Sequence, residues 1–338
     1  VPDARPVVHL FTLGGTIASV PEADGVHTRV GLSADDLVRA VPELETVATL
    51  QAVSFRQQLS ADLDVADIVD LSRRIDQAAA DGATGVVVAQ GTDTLEETAF
   101  LLDRLVTTDI AVVVTGAMRL AGAPGADGPA NLLAAVQVAT SPLAVGLGTL
   151  VVFNDQIHAA RFVRKTHSTS PGTFASPNAG PIGWITEGRV RIPLVPRTRT
   201  PRLTVGSDIT SLPRVALVRL GLGDGATVLE LLVGADVAGL VVETFGAGHF
   251  AAATVAPLEK LAATHPVVVA SRTGAGELHT TATDLSEDNL RRDGAPSAGG
   301  LISAVALDGL KARLLLILLL SAGADHQTMA AAFAQSVA

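Results

Sequence analysis

Short runs of β-branched and other aliphatic residues alternate along the chain with longer stretches whose apolar positions follow a helical period. The runs at 7–12, 86–90, 111–115, 150–153, 215–220, 239–243 and 266–271 predict strands. The stretches at 62–77, 95–105, 129–139, 226–233, 255–263 and 310–322 predict helices. This alternation is the α/β pattern. Runs such as Val86-Val87-Val88-Ala89 are apolar at consecutive positions, which implies parallel strands buried on both faces under helices. The longest apolar run, 314–320, falls short of the roughly 20 residues a bilayer span requires and reads as buried helix. Between 189 and 213 the periodicity stops, and four prolines stand among arginines and threonines. That break predicts an extended linker. The expected organisation is a larger N-terminal parallel-sheet α/β domain with flanking helices at 1–190, a linker at 191–213 and a smaller C-terminal α/β domain at 214–338.

Composition narrows the chemistry. Aromatic residues are 3% and tyrosine is absent, so the core must be aliphatic. Lys plus Arg number 24 and Asp plus Glu 34, a net charge of −10 that argues against nucleic acid or an anionic membrane as partner. With no cysteine there is no disulfide, thiol nucleophile, zinc–cysteine site or iron–sulfur cluster. No His-x-x-x-His pair occurs, and neither a metal nor an organic cofactor is expected. Val1-Pro2-Asp3-Ala4-Arg5 has no apolar core of a leader, but the first residue is not Met. The cytoplasm is the expected compartment, with secretion after removal of a leader as the alternative.

Unusual polar residues gather in three places. After the first strand comes Leu13-Gly14-Gly15-Thr16-Ile17-Ala18. Adjacent glycines let a backbone turn sharply and face a ligand with its N–H groups, and Thr16 then sits at the carboxyl end of a strand. An ordinary strand-to-helix turn has the same pattern. The second place is Gly91-Thr92-Asp93-Thr94-Leu95-Glu96-Glu97, where Thr94 and Glu97 have capping-box spacing. Thr92 and Asp93 precede the cap, either as chemistry or as filling and capping groups of the turn. The third is Lys165, one of three lysines in a chain whose usual cation is arginine. A partly buried lysine can serve as a base where arginine cannot, whereas a solvated surface lysine is the plain alternative. Threonine hydroxyls, a carboxylate and an amine are together the parts of hydroxyl-nucleophile catalysis, because the hydroxyl needs a base to take its proton. No Gly-x-Ser-x-Gly elbow competes with them.

Leu13-Gly14-Gly15-Thr16-Ile17-Ala18-Ser19 and Gln90-Gly91-Thr92-Asp93-Thr94-Leu95-Glu96-Glu97-Thr98-Ala99 resemble the two threonine motifs of bacterial-type L-asparaginases. Thr115-Gly116-Ala117-Met118-Arg119, Ala126-Asp127-Gly128-Pro129-Ala130-Asn131-Leu132, Asn154-Asp155 and Arg164-Lys165-Thr166 extend the resemblance in order along the chain. The C-terminal part resembles the family more weakly, through Gly246-Ala247-Gly248-His249 and Ser271-Arg272-Thr273-Gly274. The resemblance implies a two-domain α/β amidohydrolase without cofactor, a homotetramer built from intimate dimers, that hydrolyses L-asparagine to L-aspartate and ammonia. Carried over by position, Thr16 is the nucleophile and forms an acyl-enzyme. Thr92 and Lys165 form the second half of the constellation, Lys165 holding or deprotonating Thr92. Asp93 takes the substrate's α-ammonium and Ser60 its α-carboxylate, Ser60 having helix capping near Asp62 as its other reading. Gly15, Gly91, Thr92 and Ala117 border the substrate, and backbone N–H groups near Gly15, Gly91 and Thr92 are suited to an oxyanion, at about 2.7–4 kcal/mol per donor.

The chain also departs from the family. A loop tyrosine is the usual partner of the nucleophile; here His27 falls at that position, as a general base or as an exposed loop histidine. Ala61 stands where a glutamine or glutamate helps to hold the ammonium, and Gln90 where histidine is frequent. His249 is the candidate for a contact from a neighbouring subunit, and no glutamate aligns with the family's cross-subunit acid. Three alternatives accompany this reading. One is a glutaminase or other small-amide hydrolase, and another a weakly active amino-acid-binding member. The third is a dinucleotide-binding protein, from Gly221-x-Gly223-x-x-Ala226 with Glu243 at the end of the next strand. That last reading leaves the three polar clusters unexplained.

Overall fold

The computed structural model describes residues 5–22, 24, 27–206, 211–279 and 300–336. Residues 1–4, read above for a leader, and 207–210 of the proline-bearing segment lie outside them. The chain divides into two compact units, Val1–Arg202 and Leu203–Ala338, and the division falls inside the segment 191–213.

The first unit contains β1 (Val7–Gly14), β2 (Ser19–Pro21), β3 (Thr28–Val30), β4 (Thr49–Gln58), β5 (Gly85–Ala89), β6 (Ala111–Thr115), β7 (Thr149–Phe153) and β8 (Gln156–Ala159). It continues with β9 (Arg164–Lys165), β10 (Phe174–Ala175), β11 (Gly183–Thr186) and β12 (Arg189–Arg191). One eight-stranded sheet runs in the order β12-β11-β8-β7-β6-β5-β1-β4. From β7 to β4 its neighbours are parallel. Beyond β7, antiparallel β8, β11 and β12 extend it into a mixed sheet. Its helices are α1 (Ala34–Arg39), α2 (Leu44–Val47), α3 (Val65–Ala80), α4 (Leu95–Leu105) and α5 (Gly128–Ala139).

Every residue of β5, β6 and β7 is buried. One face meets α5, where Leu132, Ala135, Val136 and Val138 join Val87, Val113 and Val152 in a single cluster. The alternate residues Val86, Val88, Val112 and Val114 are buried on the opposite face. Each such valine contributes about 1.5–3 kcal/mol on leaving water, which is why these strands read as unbroken apolar runs.

α3 begins at Val65 rather than near Asp62, because Asp64 caps it reciprocally with Asp67. Ser60 therefore does not cap this helix; it opens a separate single turn, Ser60–Asp62. The Thr94–Glu97 capping box is also not built: Thr94 is the N-cap of α4 but makes no side-chain cap bond, and its hydroxyl donates to Ser60 O at 2.9 Å.

The second unit is a four-stranded parallel sheet in sequence order, formed by β13 (Val215–Arg219), β14 (Gly239–Thr244), β15 (Val267–Ser271) and β16 (Leu301–Ser303). α6 (Thr227–Leu232), α7 (Ala252–Ala262), α8 (Gly309–Ser321) and α9 (His326–Gln335) accompany it. α8 holds the leucine-rich run, and residues 314–319 are all buried, as expected of a helix apolar on every side. Its cap Asp308 accepts from Lys311 N at 3.0 Å and from the buried Lys311 Nζ at 2.8 Å. The molecule thus combines a larger mixed-sheet domain with a smaller, all-parallel α/β domain.

Candidate active site

In the first unit β1 lies between β4 and β5, so the connections following it diverge to opposite sides. Such a switch point opens a crevice at the carboxyl ends of the strands. Four turns follow the strands there, after β1, β4, β5 and β6. Gly14 (φ +104°) and Gly15 (φ +77°) take backbone angles that favour glycine. A Cβ on Gly15 would lie 2.1 Å from Gly91 Cα, and one on Gly91 would lie 2.7 Å from Ser60 Oγ. Three turns are therefore in close contact, and only glycine permits the approach. Thr16 and Thr92 each follow one of the touching glycines.

The buried Thr92 accepts a hydrogen bond from Lys165 Nζ through Oγ1 at 3.0 Å. The same ammonium donates to Asp93 Oδ1 at 2.6 Å. Lys165 is largely enclosed (16% side-chain exposure), whereas Asp93 is open (71%), so the carboxylate faces outward from the cluster. Ser60 is buried, and its Oγ accepts from Asp93 N at 3.2 Å. The structure thus brings Gly15, Ser60, Gly91, Thr92, Asp93 and Lys165 together. Thr16 starts a single helical turn, Thr16–Ala18, and its hydroxyl makes no hydrogen bond among the described residues.

Lys165 arrives on a two-stranded ribbon, β9 against β10, with Lys165 opposite Phe174. Phe174 packs on Phe153 of β7 with ring centroids 4.9 Å apart. Just beyond β10, Ser176 Oγ bonds Nδ1 of His158 at 2.9 Å. His158 is fully buried on β8, and burial lowers its pKa to about 4, so the ring is neutral at pH 7.

Ala117 is buried on the turn after β6. Asp127 holds that turn by accepting from Met118 N and Arg119 N, each at 2.9 Å. Asn131 Nδ2 donates to Gly116 O at 3.0 Å, and its Oδ1 accepts from Asn154 N at 3.0 Å. These scaffold roles of Asp127 and Asn131 were not legible from the sequence, where both residues were visible only as members of motifs. An Asp and an Asn four apart across a helix start are the signal that could have drawn attention to them. Gln90 is fully buried just after β5, donating to Gly91 O at 3.2 Å while its Oε1 has no hydrogen-bond partner among the described residues.

Among the described residues, the three remaining candidates take part in none of these hydrogen bonds. His27 lies at the foot of β3 in the β2–β3 hairpin, its side chain 74% exposed, with Nδ1 2.6 Å from Asp24 Oδ2. No hydrogen bond joins it to Thr16 among the described residues. Ala61 is exposed in the turn after β4. His249 belongs to the second unit, exposed in a tight turn that folds back on Phe245 after β14. The dinucleotide fingerprint is not built as a site: the Asp224 carboxylate takes Gly221 N, and Glu243 is buried against Arg219 Nε at 2.5 Å. Both the phosphate-binding turn and the ribose-binding carboxylate of such a fold are thereby occupied. Among the described residues, no group of three or more His, Asp or Glu is arranged to hold a metal ion.

A two-domain α/β protein with hydroxyls, an amine and a carboxylate gathered at a switch point has the outline of a hydrolase. The family model "Asparaginase, N-terminal" matches residues 7–196, and "Glutaminase/Asparaginase C-terminal domain" matches residues 214–333. The chain is 34% identical over 334 residues to L-asparaginase 2 of Bacillus subtilis, covering 97% of this chain and 86% of that one. It is 37% identical over 342 residues to a probable L-asparaginase of Deinococcus radiodurans, covering both in full. A crystal structure of a probable cytoplasmic L-asparaginase from Campylobacter jejuni superposes with a TM-score of 0.87 at 32% identity, covering 98% of this chain and 100% of that one. The chain belongs to the bacterial-type L-asparaginase/glutaminase family of amidohydrolases.

Proposed function

We propose that the protein hydrolyses the side-chain amide of L-asparagine to L-aspartate and ammonia through a threonyl ester. The observation that carries this reading is Lys165 Nζ bonded to both Thr92 and Asp93, beside the glycine contact that sets Thr16 and Thr92 on touching turns. Thr16 Oγ adds to the amide carbon while its proton passes to His27. The carboxylate of Asp24 accepts from Nδ1 and so leaves Nε2 as the acceptor for that proton. Main-chain N–H groups at the Gly15 and Gly91 turns receive the oxyanion. The carbon–nitrogen bond then breaks, and the returned proton makes the leaving group ammonia. Water, held by the Thr92 hydroxyl that Lys165 fixes, attacks the ester carbon. The bond to Thr16 breaks, and Thr16 regains a proton from that water. Asp93 binds the α-ammonium, and the Ser60 turn with Ala117 receives the rest of the zwitterion. We extend the same reading to a homotetramer in the cytoplasm, with His249 contributed to a neighbouring subunit.

A second assignment has its own support. Thr92 is the threonine with an amine within hydrogen-bond reach, so it suits the nucleophile's role by geometry, with Thr16 orienting the water. Acid quench during turnover followed by peptide mass analysis separates the two, because the aspartyl ester must sit on one threonine. The first test of the function is ammonia release from L-asparagine and L-glutamine by the purified protein. Faster release from asparagine is expected; one methylene is worth only about 1–3 kcal/mol, so glutamine should also turn over slowly. Release from glutamine alone would move the substrate, and release from neither by folded protein would overturn the reading.

A further inference from the structure

Lys165 is gripped at a second point, its own backbone. Its main-chain N–H donates to Glu96 Oε2 at 2.9 Å. Glu96 is a buried carboxylate (5% exposed) in the first turn of α4. Consecutive N–H groups of a strand point to opposite sides. Thr166 N is used within the ribbon, donating to Thr173 O at 2.8 Å, so Lys165 N faces away from β10. The ribbon therefore has no internal acceptor for this N–H, and Glu96 supplies one. A two-residue strand such as β9 has little stability of its own, so an external tie decides where it lies.

The tie starts from the segment that carries the candidate chemistry. Thr92 and Asp93 hold the ammonium of Lys165, and Glu96 holds its peptide group. Residues 92–96 thus clamp one lysine at both ends. A shift of the ribbon by a fraction of a turn would carry Nζ out of reach of Thr92 Oγ1.

The geometry points to Glu96 as a positioning residue that sets the reach of Lys165 toward Thr92, acting through the Lys165 backbone rather than on substrate. It rests on the proposed role of Lys165. What it requires of position 96 is an acceptor oxygen, not a charge, and that separates it from a general electrostatic or packing role. In the sequence Glu96 was one of two adjacent glutamates, with no mark to single it out.

The test compares Glu96→Gln, which keeps an acceptor, with Glu96→Met, which keeps length and loses it. Lys165→Met is assayed beside them. Glu96→Gln should retain kcat to within about threefold, and Glu96→Met should lower kcat about thirtyfold with KM within about threefold. The Lys165 amide should be strongly protected from hydrogen exchange in the wild type and lose that protection in Glu96→Met. A folded Glu96→Met enzyme with wild-type kcat, or equal losses in the Gln and Met variants, would overturn the inference. So would a fast-exchanging Lys165 amide in the wild type, a result that needs no variant to fold. If Lys165→Met itself keeps full activity, the role assigned to Lys165 fails instead.

Discussion

The two threonines of the candidate site stand in contrasting surroundings. Thr92 is buried, its hydroxyl held at 3.0 Å by a lysine that is itself tied to Asp93 and Glu96. Thr16 follows two glycines at positive φ, and its hydroxyl makes no hydrogen bond among the described residues; its candidate base is an exposed hairpin histidine paired with Asp24. One half is wired before substrate arrives, and the other presents a group with nothing yet attached. Preorganisation lowers a barrier only where the groups are already fixed. The Thr92 half therefore suits the step whose second reactant is a small, unoriented water. The Thr16 half suits attack on an amide that the binding groups have already placed.

Removing either hydroxyl gives the largest effect. Thr16→Ala and Thr92→Ala should each lower kcat by at least about a thousandfold with little change in thermal stability. The two should differ in where turnover stops. If Thr16 is the nucleophile, rapid quench of Thr92→Ala should trap an ester on Thr16, whereas Thr16→Ala should trap none. An ester on Thr92 in Thr16→Ala would reverse the assignment. Near wild-type kcat in either variant would remove that residue from the mechanism.

An intermediate effect concerns how the wired half is held. His158 anchors the strand beside Lys165 through Ser176, and its pKa is lowered from 6.5 to about 4 by burial. The folded state keeps this ring neutral, while an unfolded chain charges it once the pH drops below about 6.5. Between those two values the unfolded state binds more protons, so stability falls as the pH falls and levels off below the folded value. The loss attributable to His158 is roughly 3 kcal/mol across that window. Urea unfolding of the wild type at pH 7 and pH 4, beside His158→Leu, checks it. The wild type should lose that much more than the variant, and equal losses would mean that His158 does not couple acid to the fold.

The same contrast divides what the sequence made legible from what it did not. Strands β5, β6, β14 and β15 were legible because both of their faces are buried, leaving uninterrupted aliphatic runs. β4 escaped because it lies at the sheet edge beside β1 and none of its residues is buried: the half-buried Leu50, Ala52 and Phe55 stand among glutamine, serine and arginine. The short helices α1 and α2 and the alanine-rich α9 carry too weak an apolar stripe to stand out. The polar motifs were visible locally, but their wiring was not. Lys165 meets Thr92 across 73 positions and Glu96 across 69, and no local period encodes such a distance. The apparent capping box at Thr94 shows the converse error: the spacing was right, but Ser60, 34 positions away, offered its carbonyl to that hydroxyl instead.

The smallest expected effect tests the unwired half. A general base ordinarily contributes about a hundredfold to ten-thousandfold. His27 is 74% exposed, so water or buffer can take over part of its task, and His27→Ala should lower kcat only about tenfold. Added imidazole should restore part of the loss, because a small base can diffuse to an open position, whereas it should do nothing for Lys165→Met in its enclosed one. Asp24→Ala should cost about threefold, since it removes only the bond that leaves Nε2 as the acceptor. If His27→Ala leaves kcat untouched, the Asp24–His27 pair belongs to the hairpin alone. Proton transfer from Thr16 must then be supplied from the wired half, by Lys165 through Thr92, and the apparent division of labour between the two threonines disappears.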